Sequence, residues 1–406
     1  MTNRILNLKV DVLESLTKHF LEREYVKPET YDEIQCFELI RDLDHVAHHV
    51  QGSVTNKKYM RNEIWSLMSY TGAATWFITF APADVKHPLC LYMAASGTEF
   101  KPTIKASNER YALIAQNPVA GARFFHYMVK MFLKHVLGVN ADHPGLFGKP
   151  SAYYGTVEQQ GRLTLHLHLM LWIENAMSPQ EICDKLLRED SAFQKSLIDY
   201  LENTHIGEFQ TGSFSEVSSH VEELQNKDGY VNPTETLPSP PPSKCEANCE
   251  KCSDCNANKL WWESFPAMVD DIILKSNVHK CSQLCLANKH NSCKARFPRD
   301  VVKESIVDAN TGSLTLKKLE EWINYYAPIL SYLIKCNSDV TSLLSSTAIK
   351  AIVAYVTEYI TKVPLKTHAM FDTIRNVFVK CSEMLNSSTV NDEDKAQRLM
   401  TELSMQ

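Results

Sequence analysis

The chain has 406 residues, of which 44% are hydrophobic and 22% are charged, a composition typical of one large globular domain or two to three smaller ones. It has no run of about eighteen apolar residues, which excludes a membrane-spanning helix from the expected elements. The N-terminal residues lack the apolar core of a signal peptide, so we expect an intracellular protein with no membrane partner.

The charges are unevenly distributed along the chain. A net charge of −6 argues against a nucleic-acid partner for the chain as a whole. Residues 101–175, however, contain eight basic and four acidic residues, and residues 272–370 contain thirteen and seven. Between them, residues 176–271 contain seven basic and eighteen acidic residues. This pattern fits a phosphate backbone bound by the two basic blocks, and it fits ordinary surface variation equally well.

The predicted elements start with helices over residues 1–60, followed by a strand at residues 76–80 that stops at the turn of residues 81–84. Residues 118–137 predict a helix between Asn117 and Gly138. Further helices are expected from Pro179 to about Asn203. The proline-rich residues 236–243 predict a stiff, extended linker. After Leu316 the chain is expected to be mainly helical.

Residues 152–160 and 163–172 predict two strands joined by a tight turn. Residues two apart in a strand share a face, so His166 and His168 are expected to point the same way, as are Glu158 and Gln160 on the partner strand. Two imidazoles and one oxygen leave open positions on a divalent ion, which favours Mg²⁺ or Mn²⁺ acting as a Lewis acid. The alternative is a pair of polar residues on a half-exposed strand.

Residues 348–362 predict a helix that places Tyr355 and Tyr359 on one face, with Lys362 one turn beyond. A phenol attacks phosphorus well only as phenolate, and a nearby ammonium group favours that form. We therefore expect Tyr359 to make the first cut in a DNA strand and Tyr355 to receive the second end. The alternative is an amphipathic helix whose tyrosines belong to the core.

Together, these two motifs resemble the HUH endonucleases, and among them the replication-initiator-like domain of Helitron transposases. The similar segments are residues 77–84, 154–168, 293–299, 332–340 and 355–362. The resemblance implies that His166 and His168 are metal ligands, that Glu158 or Gln160 is the third, and that Tyr355 and Tyr359 are nucleophiles. It also implies a nuclear protein that cuts and rejoins single-stranded DNA, or a truncated or domesticated fragment that binds DNA without cutting it. Helitron transposases also carry a helicase domain, but no Gly-x4-Gly-Lys-Ser/Thr phosphate loop occurs here, so the resemblance covers the nuclease part only and leaves a helicase acting in trans as one option.

Two clusters of thiols and imidazole predict structural zinc sites, because a short polar segment needs a cross-link to stay folded. Their members are Cys245, Cys249, Cys252 and Cys255, and His279, Cys281, Cys285 and Cys293. Each set could bind one Zn²⁺, the two sets could share ions crosswise, or the thiols could be free. A zinc-bearing interaction module with an incidental hairpin is a further alternative to a nuclease.

The fold class predicted from these features is α+β, with an antiparallel HUH endonuclease-like sheet core, flanking helices and a zinc insert. The expected divisions are an N-terminal helical region at 1–59, the nuclease core at 60–175, the acidic and cysteine-rich insert at 176–300, a helical segment with the tyrosines at 301–386, and a polar tail at 387–406.

Overall fold

A computed structural model describes residues 9–22, 27–46, 54–95, 106–159, 164–188, 191–245, 249, 252–281, 283–286, 292–361, 367–382 and 391–404. The chain divides into two compact units. The first consists of residues 1–66 and 357–406, and the second of residues 67–356.

The elements alternate between long helical stretches and a few strands. In chain order they are α1 (Val10–Glu22), α2 (Tyr31–Val46), α3 (Val54–Thr71), β1 (Trp76–Ala81), α4 (Pro88–Ala94), α5 (Ser107–Gln116), α6 (Pro118–Met131), β2 (Pro150–Gln159), β3 (Leu165–Ile173), α7 (Pro179–Leu187), α8 (Ser191–Thr204), α9 (Phe214–Gln225), α10 (Ser253–Ser276), α11 (Gln283–Leu286), β4 (Ile306–Val307), β5 (Leu314–Thr315), α12 (Pro328–Ile334), β6 (Asn337–Ser342), α13 (Ser346–Thr361), α14 (Thr367–Lys380) and α15 (Asp392–Ser404). A π-helical turn at Phe132–Val136 extends α6, and a 3₁₀ turn occupies Pro233–Glu235.

The centre of the second unit is a four-stranded sheet in the order β2-β3-β1-β6, with every neighbouring pair antiparallel. One face of the sheet is apolar because alternate residues of β1 and β3 are large and hydrophobic, among them Trp76, Ile78, Leu167 and Leu169. These side chains form the main core with Phe132 and others from α6 and its π-helical turn. The apolar alternation therefore fixes which residues lie on the opposite, polar face.

A second hydrophobic cluster joins residues 209–278 to the segment that follows them. Val269 and Ile273 of α10 pack with Ile323, Tyr326 and Tyr332. The predicted acidic insert thus shares a core with the segment that leads to α13, the tyrosine helix, which carries Tyr355 and Tyr359. The division boundaries expected from the sequence remain predictions.

The proline-rich segment has no regular secondary structure, and it is hydrogen-bonded to other parts of the second unit along its length. The hydroxyl of Tyr332 donates to the carbonyl of Ser239 (2.9 Å), and Lys335 Nζ donates to the carbonyl of Leu237 (3.0 Å). The side chain of Asn258 donates to the carbonyl of Pro242 (2.6 Å). These bonds satisfy carbonyls that have no partner within a helix or a sheet.

In the first unit, α14 packs against α1. The buried side chains include Leu13 and Leu16 of α1 and Val377 and Phe378 of α14. Both helices present an apolar stripe at helical spacing, which is the pattern that pairs amphipathic helices.

The α+β class is confirmed by the mixture of helices with a small antiparallel sheet. The hairpin strands, the strand at residues 76–80 and the helix from Pro118 are also confirmed. The described chain after Leu316 is mainly helical, as expected, but it also contains a strand that the sequence did not predict, β6, which pairs with β1. This strand contains only one strongly β-favouring aliphatic residue, Val340, so its pairing is imposed by the tertiary fold rather than by its own sequence. None of the described helices has the length and apolarity needed to cross a bilayer.

Candidate functional site

The polar face of the sheet brings the predicted hairpin residues together. In the pairing of β2 with β3, Glu158 lies opposite His166 and Thr156 lies opposite His168. Cross-strand partners share a face, so the carboxylate and both imidazoles project from the same side, as the two-residue period predicts. The imidazole centroids of His166 and His168 lie 4.6 Å apart, and Glu158 Oε2 lies 3.3 Å from His168 Nε2.

Burial keeps both imidazoles neutral. It lowers the pKa of His168 to about 4, and for His166 burial and the neighbouring His168 together outweigh the attraction of Glu158 and also give a pKa of about 4. Neutral imidazole nitrogens carry the lone pairs that bind metal ions. Nδ1 of His166 is buried and has no hydrogen-bond partner among the residues that the structure describes.

Tyr355, on α13, lies against this pair of imidazoles. Its ring centroid is 5.4 Å from that of His168, with the planes at 80°. The side chain is 38% exposed, while Ile349 and Val353 of the same helix are buried. The helix therefore holds Tyr355 beside the hairpin while its side chain remains partly exposed to solvent.

The ring of Phe77 lies next to both His168 and Tyr355. Phe77 was not among the candidate site residues expected from the sequence. Its ring lies parallel to that of His168 at 6.2 Å and edge-on to that of Tyr355, also at 6.2 Å. On β1, Phe77 alternates with the core residues Trp76 and Ile78 and so belongs to the polar face. That alternation is the signal that could have identified it from the sequence.

Three predicted site residues are not placed. Gln160 and Lys362 lie outside the described residues, and so does the side chain of Tyr359. Their proposed roles as third ligand, phenolate-stabilising cation and nucleophile remain predictions.

Two groups of side chains among the described residues have all their ligand atoms within 4.8 Å of one another, and both are the predicted cysteine sets. Glu158, His166 and His168 do not form such a group. Their side chains share a face of the sheet, but their ligand atoms do not all lie within 4.8 Å of one another. The structure therefore gives closer support to the cysteine-rich metal sites than to the hairpin site.

The first cysteine set surrounds the start of α10. Cys245 Sγ lies 3.5 Å from both Cys249 Sγ and Cys255 Sγ, and Cys252 is the N-cap residue of the helix. The backbone N–H of Cys249 donates to the Cys245 thiol, which with neighbouring thiols lowers the pKa of Cys245 to about 7. The thiolate is the form that binds metal, and a thiol with this pKa is partly ionised near neutral pH. This set could therefore hold an ion such as Zn²⁺.

The second set is built around His279. Its Nε2 lies 3.3 Å from Cys293 Sγ and 3.8 Å from Cys285 Sγ. Burial opposes ionisation of Cys293, but hydrogen bonds from Phe297 and from neighbouring groups lower its pKa to about 7. The His279 ring stacks on Phe297 at 4.4 Å, and the Arg299 guanidinium lies 4.7 Å from the Phe297 centroid. This set could also hold one metal ion, with its imidazole oriented by the aromatic stack. The structure groups the residues as two separate sets, which is one of the arrangements that the sequence left open.

Residues 2–171 match a family model described as the Helitron helicase-like domain at the N-terminus. Over these residues the chain is similar to the N-terminal helicase-like domain of Helitrons. This confirms the resemblance inferred from the motifs and suggests a transposon-related function. No curated protein matches the chain. The matched Helitron region includes β1, β2 and most of β3, hence both hairpin histidines, whereas Tyr355 and the two cysteine sets lie beyond it.

Proposed function

We propose that this protein nicks single-stranded DNA and transfers the cut strand through a phosphotyrosine intermediate, as in rolling-circle transposition. The observation that carries the proposal is the contact of Tyr355 with His168, which joins a nucleophile to the hairpin of the Helitron-like domain. The proposed HUH endonuclease activity, nuclear location and helicase partner in trans depend on this reading of the site.

The hairpin residues fit a divalent cation by their chemistry. His166 and His168 are neutral nitrogen donors, Glu158 supplies an oxygen, and the buried Nδ1 of His166 has no hydrogen-bond partner among the described side chains and backbone groups. Mg²⁺ or Mn²⁺ held there would act as a Lewis acid on the scissile phosphate. The imidazoles would orient that phosphate on the polar face, where the Phe77 ring lies parallel to that of His168.

The phenol oxygen of Tyr355 would attack the phosphorus, forming a tyrosine–phosphate bond and breaking the bond to the 3′ oxygen. The phenol proton leaves to solvent, which its 38% exposure permits, and the departing 3′ oxygen takes a proton from water. Because the phosphodiester energy is conserved in the covalent intermediate, a free 3′-hydroxyl can reverse the reaction and join a new strand.

A second candidate function is binding of single-stranded DNA without cleavage, as a domesticated or truncated fragment would do. The observation that favours it is that Glu158, His166 and His168 do not converge within 4.8 Å. Under either function, the two cysteine sets would hold structural Zn²⁺.

Incubation with a labelled single-stranded oligonucleotide and Mn²⁺ separates the two functions. Nuclease activity predicts a covalent protein–DNA band that resists denaturation and is absent when both histidines are replaced (His166→Ala with His168→Ala). The double variant should still bind the oligonucleotide. Binding without a covalent band in the unaltered protein would support the second candidate and contradict the first.

A further inference from the structure

A cavity of about 390 Å³ lies where α6 and its π-helical turn meet the edge strand β2. Its polar lining includes His126, Lys130, Lys134 and Tyr153, and Leu133 contributes to its apolar part. Tyr153 is paired with Leu171 of the core, whereas Tyr154 is paired with Met170, two residues from His168. The cavity is therefore on the opposite side of the sheet from the imidazoles and is not part of the site described above.

The charged side chains that line this cavity are all positive. No carboxylate lines it. Lys130 and Lys134 are both exposed, and neither forms an ion pair with any residue that the structure describes. Cations held together without a neighbouring acid attract an anionic ligand, and the attraction is strongest for several phosphates in a row.

The π-helical turn contributes to the placement of Lys134. The N–H of Leu137 donates to the carbonyl of Phe132 (3.0 Å), five residues earlier, which widens the helix at this point. Single π-helical turns are frequent at functional sites because they change the direction of side chains on the helix. Here the widened turn carries Lys134 at the cavity wall, one turn beyond Lys130.

Tyr153 adds a flat aromatic surface to these cations. Its side chain is 42% exposed although it belongs to the core-side face of β2, because β2 is the edge of the sheet. An exposed aromatic ring beside lysines is the combination by which proteins bind single-stranded nucleic acid without reading its sequence: the ring stacks on a base and the cations hold the backbone.

We propose that this cavity binds a nucleotide of a single DNA strand, with its base on Tyr153 and the flanking phosphates on Lys130 and Lys134. The inference rests on the proposed function, which supplies single-stranded DNA as the ligand. Tyr153 and Tyr154 are adjacent and face opposite sides of the edge strand, so the DNA would pass from the cavity over that edge towards His168. The cavity would anchor the strand while the polar face carries out the chemistry.

The test is the salt dependence of binding to a labelled oligothymidylate, measured with the full chain and without added Mg²⁺ or Mn²⁺ so that no cutting occurs. Replacing both lysines (Lys130→Ala with Lys134→Ala) should reduce the slope of log K against log salt by about 1.4, roughly 0.7 for each phosphate contact on a single strand. The matched control is Lys149→Ala, which removes a lysine already paired with Glu174 (3.1 Å) and should leave the slope unchanged.

Two tyrosine variants test the stacking. Tyr153→Ala should weaken binding by about tenfold, and Tyr153→Phe, which keeps the ring, should bind as the unaltered protein does. An unchanged slope in the double lysine variant, or equal loss in Tyr153→Ala and Tyr153→Phe, would overturn the inference. A slope change seen with a duplex but not with the single strand would also overturn it.

Failure of this inference and failure of the proposed function give different results. If the unaltered protein forms the covalent band but the lysine variants bind with an unchanged slope, the cavity is not a DNA site and the nuclease function stands. If the slopes change as expected but no covalent band forms with Mn²⁺, the cavity binds DNA and the nuclease function fails.

Discussion

The rings of His168 and Tyr355 lie 5.4 Å apart and nearly perpendicular, although the two residues belong to motifs far apart in the chain. The contact depends on β6, which pairs with β1 and ends at Ser342, shortly before α13 begins at Ser346. The sheet thus anchors the start of the tyrosine helix next to the strand that neighbours the imidazoles.

The third ligand of the hairpin is predicted to be Glu158. Its carboxylate lies opposite His166 in the strand register and 3.3 Å from His168 Nε2. Glu158→Gln should weaken Mn²⁺ binding by at least about tenfold, because a neutral amide oxygen is a poorer ligand for a hard cation. Titration calorimetry measures the affinity. Gln160→Ala is the control and should retain it; the reverse outcome would assign the third ligand to Gln160.

The two cysteine sets are predicted to hold two zinc ions per chain, one in each set. Cys252→Ser and Cys285→Ser should each reduce the zinc content by one ion, since each removes a ligand from a different tetrahedral set. Elemental analysis of the purified protein measures the content. Cys381→Ser, which changes a cysteine outside both sets, should leave it unchanged. Loss of both ions in either single variant would indicate one shared site instead.

The sequence predicted the local geometry of the site better than its assembly. The shared face of His166 and His168 follows from the two-residue period of a strand and needs no tertiary information. The position of Tyr355 depends on β6, whose residues are mostly polar and give no strand signal of their own. Phe77 was missed for a related reason: an aromatic residue in an apolar run is expected in the core, although its alternation with Trp76 and Ile78 places it on the other side of the strand.

The second unit is predicted to lose stability as the pH is lowered from about 6.5 to about 4, and His205 contributes to this loss. Its ring is buried against Trp76 and Tyr325, and burial lowers its pKa to about 4 from an ordinary value near 6.5. A lowered pKa in the folded state means that the unfolded chain binds the proton first, so stability is present above pH 6.5 and is lost as the pH falls towards 4.

A variant isolates this contribution. His205→Gln should reduce the difference in the free energy of unfolding between pH 7 and pH 4.5, by up to roughly 3 kcal/mol for a full shift of this size. Urea unfolding at both pH values measures it, with the exposed His220→Gln as control. The same pH dependence in both variants would show that His205 does not carry the effect.

The division of labour between the two tyrosines tests the account most directly. The contact with His168 makes Tyr355 the nucleophile that the described geometry supports, whereas the sequence assigned the first cut to Tyr359 because of Lys362. The measurement is the yield of covalent adduct on a single-stranded oligonucleotide with Mn²⁺, for Tyr355→Phe, Tyr359→Phe and the double variant. We predict that Tyr355→Phe loses nearly all of the adduct, that Tyr359→Phe keeps the first cut but loses strand transfer, and that the double variant forms none. Full adduct formation in the double variant would contradict the phosphotyrosine mechanism.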